Sequence, residues 1–446
     1  MKFLKNLSPT RIIALSFALV ILIGTVFLAL PIATRQGEST SIFDALFISV
    51  SATCVVGFSP FDTYTHWTMF GQIVILILFQ IGGLGLMSFM SLFSIFMHKK
   101  IGLQERMLLV QTSGNIRLNG VVSLLKKIFI GTFLFEGIGA LVLAAAFYPE
   151  MGLLKSIYYG IFHSVSAFCN AGFDLMGFRT QNSSFAYYQT NSFVTFTLMV
   201  LIIIGGLGFF VWNDILKNKW KLYKYSLHSK IILYTALILI LGGWFFYYIF
   251  EMNGSLYHLP YSEKVESALF MSVSTRTAGF TTMNLNMMSE SGLLLTMCLM
   301  FIGAGVGSTS GGVKTTTIAI LVATVMTFAK GKKDVVIFKR RIESDTIRHA
   351  ASIFIVYMLA VLVSTAAICF TDGFKLQDAL FEMVSAVSTV GYSRIGIENM
   401  SLFARTVIMV LMYGGRIGFM SLLMVFWEKE KADPPTQHPT EEIMIG

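Results

Sequence analysis

The chain has 446 residues, 55% of them hydrophobic and 13% charged, with a mean hydropathy of +0.72; a soluble globular chain carries roughly 25% charged residues. That balance excludes an ordinary soluble enzyme or binding domain and describes a polytopic membrane protein. The formal charge of +9 does not point to nucleic acid, because the basic residues sit in short loops between apolar segments, as orientation signals do.

In chain order, the first apolar stretch, Ile12–Leu30, is long enough to span a bilayer and has no small-residue cleavage pattern after it, so it is expected to be the first transmembrane helix rather than a signal peptide. Further spans are predicted at Thr68–Met97, Ile128–Tyr148, Phe193–Val211, Ile231–Phe250, Leu293–Phe328, Ile353–Phe370 and Thr406–Phe426, giving eight crossings. Between the members of each pair lies a shorter apolar stretch, at Ile42–Val50, Ile157–Val165, Val265–Val273 and Leu376–Val387. These are too short to cross and are followed by glycine-containing loops, so they are candidates for re-entrant helices. Lys2, Lys5 and Arg11 precede the first span. Lys99, Lys100, Arg106, Arg117, Lys126 and Lys127, then Lys217–Lys230, then Lys330–Arg348 fill the following connections, and this pattern predicts that both termini are cytoplasmic. The re-entrant segments should then enter from outside. Cys54, Cys169, Cys298 and Cys369 fall in or beside apolar segments without a C-x-x-C pair, and neither a disulfide nor a metal is expected from them.

The strongest feature is an internal repeat. Ser51-Ala-Thr-Cys-Val-Val-Gly57-Phe58, Ser166-Ala-Phe-Cys-Asn-Ala-Gly172-Phe173, Val273-Ser-Thr-Arg-Thr-Ala-Gly279-Phe280 and Ser385-Ala-Val-Ser-Thr-Val-Gly391-Tyr392 align on one glycine, each followed by an aromatic residue. The glycines stand 115, 107 and 112 residues apart. Each unit contains an even number of crossings, so all four share one orientation and can surround an axis along the membrane normal. The expected architecture is all-α, with four tandem helix–re-entrant loop–helix units over residues 1–100, 101–218, 219–333 and 334–431, and a cytoplasmic tail over 432–446.

Non-helical backbone at membrane depth is tolerated where it is buried or lines a hydrated path. Four such loops meeting on one axis would turn their carbonyls toward a permeating ion, and glycine permits the dihedrals that do so. The candidate oxygens belong to Val55, Val56 and Gly57, to Asn170, Ala171 and Gly172, to Thr277, Ala278 and Gly279, and to Thr389, Val390 and Gly391. A single loop would read as an ordinary turn capping a short helix. Four matched loops at steady spacing argue for a cation filter.

A second glycine cluster follows in each unit, at Ile81–Gly85, Ile204–Gly208, Ile302–Gly307 and Gly414–Gly418. In the first two, small residues that let helices pack closely are sufficient explanation. In the third, the run from Gly303 through Gly305, Gly307, Ser308, Thr309, Ser310, Gly311 and Gly312 to Lys314 and Thr317 is too polar and glycine-rich for a continuous helix, which predicts a broken helix carrying a mobile gate below the filter. The run also resembles a phosphate-binding loop, but Val313 separates Gly312 from Lys314 and no strand precedes it. Arg416, in the fourth cluster, is costly in mid-span unless water or acceptors reach it. It is expected either to face the pore as an electrostatic barrier or to cap a row of carbonyls between packed helices. Glu136 and Glu382 are buried acids expected to brace loops through hydrogen bonds, with proton relay as the alternative.

Together these motifs resemble the Trk/Ktr/HKT superfamily of potassium transporters, and within it the bacterial Ktr-type membrane subunit. The resemblance rests on Arg276–Phe280, Asn170–Phe173, Ser388–Gly391, the loop ending Gly312-Val-Lys-Thr-Thr316 and Gly415–Gly418, together with Lys100–Arg106 and the tail ending Glu441–Gly446. It implies a homodimer in the plasma membrane with one pore per subunit, with K+ as the transported ion at the filter carbonyls and the four glycines marking selectivity over Na+. It also implies that the loop 303–317 and Arg416 form the gate, that the Ile443–Gly446 segment assists the dimer contact, and that Na+ stimulates flux. A separate cytosolic octameric ring of RCK/KTN type, which binds the nucleotide this chain has no domain for, is implied to control opening. Where many relatives carry a threonine before the first glycine, this chain carries Val56, and the missing hydroxyl predicts looser selectivity. An alternating-access, Na+-coupled symporter is the rival expectation, supported by the broken third inner span. An enzyme is not expected, since no H-E-x-x-H motif, nucleophile elbow or carboxylate pair stands in a soluble domain.

Overall fold

The computed structural model describes residues 9–85, 121–181 and 183–426. Lys2 and Lys5, the end of the second predicted span toward Met97, the stretch Lys99–Arg117 and the tail 432–446 with Ile443–Gly446 lie outside these residues. Among the described residues the regular elements are helical apart from a two-residue antiparallel pair, Val336–Ile337 with Arg340–Arg341, in the basic connection that opens the fourth repeat.

Four outer helices, Pro9–Leu28, Val121–Met151, Leu227–Glu251 and Ser344–Asp372, have 20, 31, 25 and 29 residues. At about 1.5 Å rise per residue even the shortest covers the roughly 30 Å of a hydrocarbon core. Each leads into a pore helix of 12 to 17 residues, namely Ile42–Thr53, Leu153–Cys169, Tyr261–Ser274 and Leu376–Val387. The inner helices follow at Met69–Leu84, Ser192–Leu207, Glu290–Phe301 and Leu402–Ile417. Every inner helix opens on a polar cap, Thr68, Asn191, Ser289 and Ser401 in turn, whose side chain accepts the backbone N–H of Gly71, Val194, Gly292 and Ala404 respectively. Satisfying that first-turn donor fixes where each helix begins.

The inner helices depart from expectation. Only the third was expected to break, yet Met69–Leu84 ends at Gly85 (φ 79°), Ser192–Leu207 at Gly208 (φ 93°) and Leu402–Ile417 at Gly418 (φ 97°). The span expected over Phe193–Val211 is therefore two helices, and the second, Phe209–Asn218, runs at 94° to the first. The span expected over Thr406–Phe426 is likewise divided, continuing as Phe419–Phe426. Positive φ is free of steric cost for glycine alone, so one residue suffices to end each helix.

The four repeats form a closed circle in chain order. The first inner helix packs on the second pore helix, the second on the third, the third on the fourth, and the fourth returns to the first. A polar link marks every junction. Tyr158 Oη donates to Gln72 Oε1 (2.8 Å), Ser192 Oγ to Glu266 Oε2 (2.7 Å), Gln377 Nε2 to Glu290 Oε2, and Arg405 NH1 to Asp44 Oδ1 (3.0 Å). The last of these joins residues 361 apart in sequence.

Within three repeats the pore helix is held to its outer helix by one device. Ser49, Ser164 and Ser272 donate to the carbonyls of Ile21, Glu136 and Ile240 at 2.6, 2.6 and 2.7 Å. Three residues further along each outer helix stand Gly24, Gly139 and Gly243, where a Cβ would lie only 2.5, 2.5 and 2.4 Å from the same serine Oγ atoms. Helices meeting this closely gain packing and a hydrogen bond that lipid cannot replace.

Candidate functional site

Each pore helix ends directly in its glycine loop. The amide before the glycine folds back onto the helix, with Val56 N donating to Ser51 O (2.9 Å), Ala171 N to Ser166 O (2.8 Å) and Val390 N to Ser385 O (3.0 Å). In the third loop Ala278 N reaches Ser274 O (2.9 Å), one residue nearer. Backbone dihedrals repeat as well. Two residues before the glycine φ is positive at Val55 (58°), Asn170 (57°), Thr277 (74°) and Thr389 (55°), and it is positive again at Gly57 (94°), Gly172 (71°), Gly279 (79°) and Gly391 (89°). The intervening Val56, Ala171, Ala278 and Val390 are not among the positive-φ residues. A β-branched side chain is a true outlier in this region, and such strain costs about 1–3 kcal/mol per residue. Three β-branched residues held there at equivalent positions mark a conformation kept for its shape.

The loops converge on one axis. A Cβ built on Gly57 would lie 2.7 Å from Ala171 O, on Gly172 3.1 Å from Ala278 O, on Gly279 2.3 Å from Val390 O and on Gly391 2.0 Å from Val56 O. Every glycine thus faces the carbonyl preceding the glycine of the next loop, and the fourth returns to the first. The residue pairs before the glycines are buried, while the glycines themselves are half-buried and all four border a single cavity of about 600 Å³ with Asp62, Asp174 and Glu398 on its wall. The four pore helices direct their C-terminal ends at the ring, so the negative ends of their dipoles favour a cation there.

The wall behind the ring is tightly tied. Phe58, Phe173, Phe280 and Tyr392 are buried. Tyr392 Oη donates to Phe280 O (2.6 Å), joining the fourth loop to the third, and Ser166 Oγ donates to Phe173 O (2.7 Å). Asn170 Nδ2 lies 3.4 Å from Thr277 Oγ1. Glu382 Oε1 accepts from Ser393 Oγ (2.9 Å), Arg394 N (2.7 Å) and Ile395 N (3.0 Å), bracing the segment after the fourth glycine. Glu136 accepts from Gln80 Nε2 at 3.0 and 3.1 Å, and Cys169 Sγ at the end of the second pore helix donates to Gln80 Oε1 (3.2 Å). Sequence reasoning did not single out Gln80, although an amide within an apolar span was the available signal.

On the opposite side of the ring from the cavity, the third-repeat loop is laced to its neighbours. Gly305 N donates to Gly206 O (2.9 Å), Thr309 N to Gly205 O (3.3 Å) and Gly312 N to Gly415 O (3.3 Å), while Gly307 O accepts from Phe209 N (2.9 Å). Gly303 N closes the loop onto Val313 O (2.9 Å). Thr309 Oγ1 donates to Phe168 O (3.1 Å), Ser308 Oγ bonds Ser310 Oγ (2.8 Å), and Gly311 N donates to Thr389 Oγ1 (3.0 Å). Thr389 thereby belongs to both the ring and the loop's anchorage. Lys314 Nζ donates to Ser310 O (2.7 Å) and Gly311 O (3.2 Å).

Arg416 adopts the carbonyl-capping arrangement. Its guanidinium donates to Thr309 O and Gly82 O and, at 3.1 Å, to Gly83 O. It thus ties the first inner helix and the third-repeat loop to the fourth inner helix. The second glycine clusters meet the pore helices here. A Cβ on Gly82, Gly205 or Gly415 would lie 2.0, 2.0 or 2.2 Å from the carbonyls of Thr53, Phe168 and Val387, each four residues before a ring glycine. These clusters serve both close packing and helix ending.

Comparison with known proteins agrees with this geometry. The family described as TrkH, cation transport protein, matches residues 7–433. The chain is similar to the potassium/sodium uptake protein NtpJ of Enterococcus hirae, with 38% identity over 99% of this chain and 98% of that protein. It is 35% identical to the Ktr system potassium uptake protein B of Bacillus subtilis, covering 98% and 97%. Among solved structures, the crystal structure of the potassium transporter TrkH from Vibrio parahaemolyticus superposes with a TM-score of 0.74 at 18% identity, over 95% of this chain and 86% of that one. At that identity the likeness is one of fold.

Proposed function

This chain belongs to the TrkH family of cation transport proteins, and from that premise we propose that it carries potassium into the cell along the axis ringed by its four glycine loops. The backbone oxygens of residues 55–57, 170–172, 277–279 and 389–391 replace the water shell of the ion as it passes. One observation carries the reading, which is the rotation of glycine against neighbouring carbonyl through all four loops. A potassium ion suits such a site because it is weakly hydrated and accepts neutral oxygen ligands. Val56, which lacks a hydroxyl, is consistent with admission of some sodium, as is similarity to NtpJ, a potassium/sodium uptake protein.

The loop 303–317 with Arg416 is the gate. Its hydrogen bonds to the second and fourth inner helices, and those of Arg416 to the first, support this. A separate cytosolic nucleotide-binding ring controls the gate, the membrane unit is a homodimer, both termini are cytoplasmic and sodium stimulates flux. Similarity to a Ktr system membrane protein supports the expectation of such a regulatory partner.

Potassium or rubidium flux into vesicles bearing the purified chain tests the filter. Gly57→Ser and Gly279→Ser should weaken discrimination against sodium, and unchanged discrimination would count against the reading. Deleting part of 305–312 should raise flux without the cytosolic partner. The breaks at Gly208 and Gly418 favour, as a second reading, an alternating-access symporter. Strictly stoichiometric sodium coupling, with no diffusive current, would select it.

A further inference from the structure

A groove of about 340 Å³ lies on the wall of the second repeat, between the outer helix Val121–Met151 and the bent end of the second inner helix. Ile130, Leu134, Ile204, Trp212 and Leu216 line it, and no acidic side chain does. Ile130 and Leu134 are exposed at 69% and 56%. On a membrane-spanning surface such a groove is in contact with acyl chains. Lys127 stands at its border, exposed, with Nζ 3.3 Å from Asn213 Oδ1. Lys126 and Lys217, also exposed, adjoin it in sequence. Asp214, the nearest acid along the bent helix, is occupied by Ser226 N, Ser226 Oγ and Ser229 Oγ.

We propose that this groove is a binding site for one anionic phospholipid, with an acyl chain along Leu134 and Trp212 and the phosphate on Lys127. Charge selects the occupant, because an apolar trough bordered by a lysine and free of acids fits an apolar tail with an anionic head. The trough also lies behind the 94° bend at Gly208. Trp212 Nε1 donates across that bend to Ile204 O (3.0 Å), and Gly131 leaves room for the ring, since a Cβ there would lie 3.0 Å from it. Immediately after the bend, Phe209 N holds Gly307 O, and just before it Gly206 O holds Gly305 N. A lipid in the groove therefore stiffens the hinge to which the third-repeat loop is tied. This link to gating rests on the gate reading above, whereas the binding site does not.

Native mass spectrometry of the full-length chain, delipidated and titrated with phosphatidylglycerol, tests the site. The wild-type chain and Lys127→Arg should retain one lipid per chain more tightly than they retain phosphatidylcholine. Lys127→Gln should weaken retention about fivefold, the equivalent of one juxtamembrane lysine, and Leu134→Trp, which fills the trough from an exposed position, should abolish it. Equal retention in all four proteins would overturn the proposal. So would a photo-crosslinker at position 130 that captures a second copy, or another segment of this chain, in place of lipid. Flux is then compared in phosphatidylcholine vesicles with and without phosphatidylglycerol. Dependence on the anionic lipid should fall in step with retention. Lipid loss with unaltered flux upholds the site and overturns its link to the gate.

Discussion

Replacing each ring glycine by alanine, one at a time, gives the sharpest test of the closed ring. All four have positive φ, so alanine carries a common backbone penalty of about 1–2 kcal/mol. The added methyl distinguishes them. At Gly172 it meets Ala278 O at 3.1 Å, a tight but tolerable distance, whereas at Gly57, Gly279 and Gly391 the distances are 2.7, 2.3 and 2.0 Å. Those partners are backbone atoms in a buried wall and cannot swing aside as a side-chain tip would. At Gly391 the Val56 carbonyl must retreat by about 1 Å, a displacement that close-packed interiors do not absorb freely. If an ion–carbonyl contact is comparable to a hydrogen bond to a charged group, about 1.5–3 kcal/mol, losing one lowers potassium preference roughly tenfold or more. The expected order of damage is Gly391→Ala, then Gly279→Ala, Gly57→Ala and Gly172→Ala. Rubidium uptake into vesicles against rising external sodium reads it, with thermal unfolding of each variant run in parallel. Preserved selectivity in Gly391→Ala alongside its loss in Gly172→Ala would refute the reasoning.

Four further substitutions probe the parts around the ring. Arg416→Gln removes the charged donor from Thr309 O, Gly82 O and Gly83 O; flux without the cytosolic partner should rise about tenfold, from the 1.5–3 kcal/mol of a charge-assisted bond. Thr389→Val leaves Gly311 N, bonded at 3.0 Å, without its acceptor, at a cost of about 1–3 kcal/mol; partner-independent flux should increase, and the same change at Thr277, which has no bond to the loop, should leave gating unaltered. Glu382→Gln exchanges a carboxylate that holds Arg394 N and Ile395 N for a weaker neutral acceptor; a fall in unfolding temperature of a few degrees is expected, with selectivity declining before flux.

The ring of four glycine loops was legible because its signal is a coincidence of four. One glycine–aromatic pair means little, but Gly57-Phe58, Gly172-Phe173, Gly279-Phe280 and Gly391-Tyr392 at near-equal spacing leave few alternatives. The outer spans were legible from length and apolarity. The helix ends at Gly85, Gly208 and Gly418 were not, since a glycine in an apolar helix has the same letter whether it admits a neighbour or ends the helix, and only φ separates the two. The partners of Arg416 were equally hidden. Its acceptors are carbonyls on other repeats, and backbone oxygens carry no sequence signal. The serine–glycine seams at Ser49/Gly24, Ser164/Gly139 and Ser272/Gly243 escaped for a related reason: neither residue type is unusual in a span, and the pairing becomes visible only once the helices are placed.

The ring is drawn from a single polypeptide, so its quadrants are free to differ. In an assembly of identical subunits any substitution would appear on every side at once, and an insertion suited to one face would obstruct the other three. Here the third quadrant carries the polar segment between Phe301 and Thr315, the fourth supplies Arg416 and Thr389 to hold it, the second contributes carbonyls and the Phe209 amide, and the first offers the Gly82 and Gly83 carbonyls to Arg416. Tandem covalent linkage thus permits a division of labour in which near-equivalent loops encircle one axis while a single asymmetric arm, drawn from the third repeat, is laced to its neighbours.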